Sequence, residues 1–432
     1  MEIVFLALGG LALLLTLGGP LPFCFGLGLM VMHYLGGITM KGVLMYGLQQ
    51  VASPVLLSIP MFVFAGQLMA ESGIAKSLLD FVNIFVGRIK GGLGIVSIVT
   101  CAIIGAISGS SITGVSAVGP IMIPRMVKEN YPPGFASALV SISSVLGLLI
   151  PPSISMLTYA WLTECSVLAC FVSTVVPGLM IAFMLSVLNV YIVKDCNLVL
   201  AQKTTFAEKM KETRKSGFHA LPALMMPVII LGGIYGGIMT TTEAAGVAVI
   251  YSLPIGFWVY RGLTRKTFAK SAINSAATVG SIMLLILLCT CLGQMFIMLG
   301  VPQKITVAIL NFSSNKYVIL LLVNMLFIVL GMLVTDLVSI LLVVPLILPL
   351  MIEIGIDPVH FGAFAITNLS MGAVTPPYAT VFYLGLRIGK TTIDEAIKPL
   401  LILILFAYLP VLLLTTFIPE ISLALPRLLG LM

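Results

Sequence analysis

LGLLIPPSI at residues 146–154 and MGAVTPPYA at residues 371–379 each set a proline pair inside an apolar run, 225 residues apart (376 − 151 = 225). The same offset relates Pro120, Pro124, Pro133, Pro151 and Pro152 to Pro345, Pro349, Pro358, Pro376 and Pro377. With 24 prolines in 432 residues, roughly 0.6 such coincidences are expected at any one offset, so an internal duplication is the economical reading. Met126/Met351 and Gly147/Gly372 obey it too, and GPIMIPRM (119–126) falls on VPLILPLM (344–351). Proline removes a backbone donor and blocks the preceding helical turn, so each pair should break its helix and leave carbonyls near Gly147, Ile150, Gly372 and Thr375 unpaired.

The chain is 60% hydrophobic and only 9% charged, with a mean hydropathy of +1.19. Soluble domains carry about 25% charged residues, so this composition belongs in a bilayer. Apolar runs fill nearly the whole length without alternating, which indicates a helical bundle rather than a barrel. The net charge of +7 does not imply a nucleic-acid partner, because the cations sit between apolar runs, where the positive-inside rule puts them. The seven cysteines lie mostly inside apolar runs without zinc-site spacing and read as buried thiols. The N-terminal MEIVF lacks a basic region, so a cleaved signal peptide is not expected.

Candidate spans are about 3–18, 21–37, 54–70, 134–162, 167–193, 218–238, 241–260, 273–299, 359–386 and 399–419. Two further apolar stretches, about 93–126 and 317–351, are interrupted by small and polar residues and read as re-entrant hairpins. With the N-terminus outside, only Lys41, Lys304, Lys316 and Arg427 face outward, leaving 22 − 4 = 18 cations inside. Making either hairpin a full crossing breaks this asymmetry downstream. The first hairpin then opens to the cytoplasm and the second to the outside, an inverted repeat. The hydrophilic segment 194–217 joins the halves as a cytoplasmic loop, expected to hold a short surface helix.

The polar interruptions carry the chemistry. Ser108-Gly109-Ser110-Ser111, followed by Ile112-Thr113, breaks the first hairpin; Gly331 to Asp336, with Thr335 at its end, breaks the second. Hydroxyls in apolar helices often serve packing alone. Free carbonyls and hydroxyls at a broken helix are also hard oxygen ligands for a small cation, and half-helix N-termini favour an anion. Asp336, flanked by LFIVLGMLV and LVSILLVV, is a functional candidate by its setting, with an N-cap as the plain alternative. Asn368, Ser370 and Thr380 flank the second proline pair and suit either substrate contact or helix pairing. Arg387 suits an anion or snorkelling at a helix end. Thr240 and Glu243 read as a capping box, and His360 as structural. Gly385 to Thr391 is one residue short of a P-loop and follows a membrane helix; HExxH and GxSxG motifs are absent. The pattern is that of an ion-coupled membrane transporter rather than an enzyme.

SGSS at 108–111, LGLLIPPS at 146–153, GIDPVHFG at 355–362 and NLSMGAVTPP at 368–377 resemble the large membrane subunit of tripartite ATP-independent periplasmic (TRAP) transporters, as do ESGIAKSLLDF at 71–81 and TTTEAAG at 240–246. Where family members often carry Val-Gly after the second proline pair, this chain has Tyr378-Ala379, beside the expected substrate site. The resemblance implies an all-α, multi-pass protein of the bacterial inner membrane with a periplasmic N-terminus. Each inverted repeat would hold about five membrane helices and one hairpin. It implies sodium-driven import of a small organic anion (a carboxylate, sugar acid or sulfonate) by an elevator movement, with sodium as the coupling ion and no organic cofactor. A soluble periplasmic substrate-binding protein would deliver the substrate. A small four-helix membrane subunit, expected as a separate chain because four extra N-terminal helices are missing here, would brace the scaffold. Scaffold helices and an interfacial arm would occupy 1–72, and 166–299 further scaffold with the loop. The transport-domain halves would be 73–165 and 300–398, and 399–432 the C-terminal helix. One sodium ion would use Ser108, Ser110, Ser111, Gly147, Ile150 and Pro151. A second would use Gly331, Thr335, Asp336, Gly372, Thr375 and Pro376. Substrate would lie near Ser111, Thr113, Ser153, Asn368, Ser370, Tyr378 and Thr380. The alternative is a stand-alone sodium- or proton-coupled anion carrier of related hairpin architecture.

Overall fold

A computed structural model describes residues 2–87, 89–198 and 206–432, the side chains of 206–215 excepted, and every regular element among them is a helix. Helices α1 (Glu2–Thr16), α2 (Leu21–Gly36), α3 (Met40–Val51), α4 (Ser58–Glu71) and α5 (Ile74–Val86) lead into α6 (Gly92–Ser108) and α7 (Ser111–Lys128). Next come α8 (Pro133–Ser144), which tightens into a 3₁₀ turn at Val145–Leu148, then α9 (Ile154–Thr163), α10 (Val167–Ser173) and α11 (Val175–Ile192). The second half holds α12 (Phe206–Tyr235), α13 (Thr241–Pro254), α14 (Arg265–Met298), α15 (Val301–Phe312), α16 (Lys316–Leu333) and α17 (Asp336–Glu353). The chain ends with α18 (Pro358–Gly372), α19 (Thr380–Gly389), α20 (Ile393–Leu403), α21 (Leu409–Phe417) and α22 (Glu420–Leu428).

Helix bounds repeat at the proline offset. Adding 225 to α7 (111–128) gives 336–353, the bounds of α17, and adding it to the first residue of α8 (133) gives that of α18 (358). The preceding arms end at Ser108 and Leu333, again 225 apart. The two breaks use different means. Gly109 adopts φ 62° and ends α6 through its N–H to the Gly105 carbonyl at 2.7 Å, a left-handed cap suited to glycine. Val334 and Thr335 make the second break in extended conformation. Both proline pairs interrupt a helix, at 149–153 and 373–379, as the sequence requires. One expectation fails locally: the Gly372 carbonyl accepts from the Thr375 N–H at 2.9 Å, because the chain turns tightly before Pro376.

Among the described residues, seven stretches are long and apolar enough to cross a membrane: Val167–Asp195, Ser216–Tyr235, Thr241–Val259, Arg265–Met298, Lys316–Leu333, Asp336–Glu353 and Ile393–Phe417. Three expected spans are shorter. α1, α2 and α4 hold 15, 16 and 14 residues, about 21–24 Å at 1.5 Å per residue against a hydrocarbon core of about 30 Å. Gly18 at φ 79° and Pro20 divide α1 from α2, and a turn around Pro54 delays α4 to Ser58. The separate surface helix expected in 194–217 does not form in its described part: from Phe206 the chain enters α12 and stays helical to Tyr235, with no proline before Pro222 to stop it. Residues 199–205 of that segment lie outside the described residues. The helix expected at 273–299 begins earlier, at Arg265, where Thr264 caps it.

The two halves interlock. α6 and α7 lie against each other and both pack on α8, while α19, from the second half, packs on α7 and α8. Conversely α9, from the first half, packs on α17 and α18. α16 lies on α18, and α17 lies on α14 and α15, so α16 and α17 touch each other far less than α6 and α7 do.

Two glycine pairs set the distance of closest approach at the breaks. A Cβ on Gly105 would lie 2.2 Å from the Gly147 Cα, and one on Gly372 would lie 2.4 Å from the Gly331 Cα. Backbone, not a flexible side chain, is the obstacle in both places. Gly105→Ala should therefore lower the melting temperature of the purified protein, overpacking costing about 1–3 kcal/mol against a helix-propensity gain of about 1. Gly280→Ala, on the same kind of helix but with nothing within 4 Å of the new Cβ, should leave it unchanged or raised. Equal melting temperatures for the two variants would contradict this account.

Candidate functional site

Asp336 is the first residue of α17, and Thr335 occupies the N-cap position without a side-chain bond. The carboxylate therefore does not cap in the ordinary way. Its Oδ2 accepts a hydrogen bond from the Ser155 hydroxyl, at the start of α9. Ser155 follows the Pro151-Pro152 break, so a polar residue beyond one half's proline pair meets the charged turn of the other half. Ser153, two residues earlier, accepts from the Met156 N–H at 3.3 Å and caps α9.

Around this contact lies a cavity of about 570 Å³, within the range of small-molecule sites. One wall is the first turn, Ser108 to Thr113, with the α7 N-terminus; beside it lie Thr335 and Asp336 of the second turn and Ser155 of α9. Val63 and Gln67 of α4, Ser275, Thr278, Ser281, Ile282 and Leu285 of α14, and Pro20 to Pro22 complete the lining. Among the described residues lining it, Asp336 is the one ionisable group. A second cavity of about 440 Å³ shares Gln67, Ile112 and Thr113 with the first and runs past Ser116 to Glu71 and Lys76.

The donors present are oxygens. The Ser108 Oγ lies 3.0 Å from the Ile104 carbonyl and 3.4 Å from the Ser110 carbonyl. The Ser110 carbonyl in turn stands 3.2 Å from where a Cβ on Gly147 would lie, which brings Ser108, Ser110 and Gly147 together. Among the described residues no three His, Cys, Asp or Glu side chains gather as a transition-metal site would need. Hydroxyls, carbonyls and one carboxylate suit a hard, small cation.

Of the residues singled out from sequence, Ser108, Ser110, Ser111, Thr113, Thr335 and Asp336 meet at this cavity. Gly147, Ile150, Pro151, Gly331, Gly372, Thr375 and Pro376 stand behind the turns rather than in the lining. Asn368 and Ser370 are turned to neighbouring helices. The Asn368 Nδ2 donates to the Asn324 carbonyl at 2.9 Å, and the Ser370 and Tyr408 hydroxyls are 2.8 Å apart. Tyr378 is half-exposed, its N–H bonded to the Met332 carbonyl at 3.0 Å, while Thr380 begins α19 and Arg387 is exposed near its end; none of the three lines the cavity. His360 is held by the Ser422 Oγ at 2.7 Å and the Thr416 carbonyl at 3.2 Å, a structural role. Thr240 and Glu243 form the capping box of α13, the Thr240 N–H and hydroxyl both donating to the Glu243 carboxylate.

Sequence reasoning missed Ser155, Gln67 and the hydroxyl row on α14. The row had a signal: Ser275, Thr278, Ile282 and Leu285 recur at helical spacing along an apolar span, so the two hydroxyls share one face. Ser155 had none, since only the fold brings it to Asp336.

Comparison with known proteins identifies the family. Residues 8–421 match the family described as the DctM component of tripartite ATP-independent periplasmic transporters. The C4-dicarboxylate TRAP transporter large permease protein DctM of Pseudomonas aeruginosa is 35% identical over 87% of this chain and 87% of its own length. The sialic acid TRAP transporter large permease protein SiaM of Vibrio cholerae is 32% identical over 86% of each. The isethionate TRAP transporter permease protein DctMQ of Oleidesulfovibrio alaskensis is 33% identical over 96% of this chain and 65% of its own length. Among solved structures, the YdaH transporter of Alcanivorax borkumensis superposes with a TM-score of 0.57 at 16% identity, covering 85% of this chain and 88% of that one. MtrF of Neisseria gonorrhoeae gives 0.60 at 13%, covering 88% and 84%. At such identities these two speak to the fold alone. A multi-pass helical chain, matched from residue 8 to 421 and more than 30% identical to several large permeases over most of its length, belongs to the DctM family of TRAP transporter large permease proteins.

Proposed function

We propose that this subunit imports a small organic anion across the inner membrane, driven by a sodium gradient, with the cavity at the two helix breaks as its substrate site. Membership of a family whose relatives are named for C4-dicarboxylate, sialic acid and isethionate supports the anion class. The observation that carries the reading is the convergence of Ser108 to Thr113 with Thr335 and Asp336 on one cavity that, among the described residues, no Lys or Arg lines. A binding site for an anion without a cationic side chain needs its charge met by backbone amides at helix N-termini and by a bound cation. Ser108, Ser110, Ser111, Gly147, Ile150 and Pro151 would hold one sodium ion; Gly331, Thr335, Asp336, Gly372, Thr375 and Pro376 would hold the other. Sodium would be cotransported, leaving the site with the substrate.

The repeat is read as inverted, from the cation distribution together with the coincident helix bounds. The hairpins and broken helices would then travel as one body against a scaffold of α1–α4 and α10–α14, in an elevator movement. In the same reading the N-terminus is periplasmic. A small membrane subunit would brace the scaffold and a soluble periplasmic binding protein would deliver the substrate.

Uptake into proteoliposomes at fixed voltage should need an inward sodium gradient. Equal uptake driven by protons in sodium-free buffer would sink the ion assignment. Asp336→Asn should cut sodium-dependent uptake by about tenfold or more with the folded protein still recovered, because a unit charge about 4 Å from a cation is worth on the order of 4 kcal/mol at an effective dielectric of 20. An unchanged sodium dependence would reduce Asp336 to an anchor for Ser155. Omitting the binding protein should abolish transport; undiminished transport would favour a stand-alone carrier.

A further inference from the structure

We infer that Ser275 of α14 contacts the transported anion directly, so that α14 takes part in recognition beside the residues of the helix breaks. The inference rests on reading the cavity as the substrate site. A hydroxyl inside an apolar helix ordinarily donates to a carbonyl one turn earlier. Thr278 does so, to the Asn274 carbonyl at 2.9 Å, and Ser281 to that of Ala277 at 3.0 Å. Ser275 does not. It is 5% exposed, its Oγ is buried without a partner among the described residues, and it lines the cavity. Buried polar groups are as a rule hydrogen-bonded, and an exception calls for a group that fills the space beside it.

The chemistry of the site says what that group is. Ser111 and Thr113 offer hydroxyls from the first turn. With no Lys or Arg among the described residues of the lining, the oxygens of a carboxylate or sulfonate facing α14 have hydroxyls and the Gln67 amide as their donors. Among the described α14 hydroxyls that line the cavity, Ser275 is the one not already spent on its own backbone. Ser271, one turn earlier, has the same buried, unpartnered Oγ but lies outside the lining, and so serves as an internal control.

The test compares Ser275→Cys, Ser271→Cys and Thr113→Cys in the full chain, in lipid nanodiscs with sodium. Each reacts with 2-sulfonatoethyl methanethiosulfonate, itself a small sulfonate anion. Modification is read by peptide mass spectrometry, so native cysteines do not interfere. Exposure governs the rate, and Ser275→Cys and Thr113→Cys should react at least about tenfold faster than Ser271→Cys. Succinate, isethionate or sialic acid, whichever slows Thr113→Cys, should slow Ser275→Cys to a similar extent. If Thr113→Cys reacts while Ser275→Cys is as slow as Ser271→Cys, the inference falls and the substrate site stands. An anion that shields Thr113→Cys but not Ser275→Cys has the same meaning, and where no anion shields either, the rates alone decide. An inert Thr113→Cys overturns the cavity reading and the inference with it.

Discussion

A proline inside a membrane helix leaves backbone groups that hydrocarbon cannot satisfy. This chain places such breaks at two equivalent positions, and the rest of its architecture follows from how they are covered. Each proline pair lies behind the turn of a helix pair, Gly105 against Gly147 in one half and Gly331 against Gly372 in the other. In the first half the irregular backbone is thereby buried, Leu149 and Pro151 to Ser153 among it, whereas Pro377 and Tyr378 of the second break stay exposed. The glycines permit the close approach; a Cβ at any of the four would hold the broken segments apart. Structural and functional readings of Gly147 and Gly372 therefore coincide, since the same close approach sets the carbonyls of the break beside the turn.

The two halves share helix bounds but not chemistry. The first turn is built of serines around a left-handed glycine, while the second is extended at Val334 and Thr335 and ends in Asp336. One carboxylate against none is the largest electrical difference between them, and Ser155 ties it to the other half. After the second proline pair, Ala379 sits at φ 28°, where glycine is the ordinary occupant and where family members often carry one. That substitution, with Tyr378 before it, marks the departure of this chain from its family pattern.

Much of this was legible in the sequence because it depended on covalent constraints and on period. Proline positions located the breaks to within a residue or two, and small polar residues located the turns. Other features were illegible for identifiable reasons. Asn368 and Ser370 looked like site residues, yet their partners Asn324 and Tyr408 come from helices 44 and 38 residues distant in the chain. Ser155 and Ser275 looked like ordinary membrane-helix serines. Tertiary placement alone distinguishes a hydroxyl that returns to its own backbone from one that reaches a carboxylate or a cavity.

The central claim is that the two helix pairs are copies of one element inserted from opposite sides of the membrane. Side-specific labelling of Lys128→Cys and Glu353→Cys, equivalent ends of α7 and α17, tests it directly in sealed inside-out and right-side-out vesicles. An impermeant maleimide should reach the first only from the cytoplasmic side and the second only from the outside. Labelling of both from the same side would contradict the inverted arrangement, and with it the account of how one cavity is built from both halves.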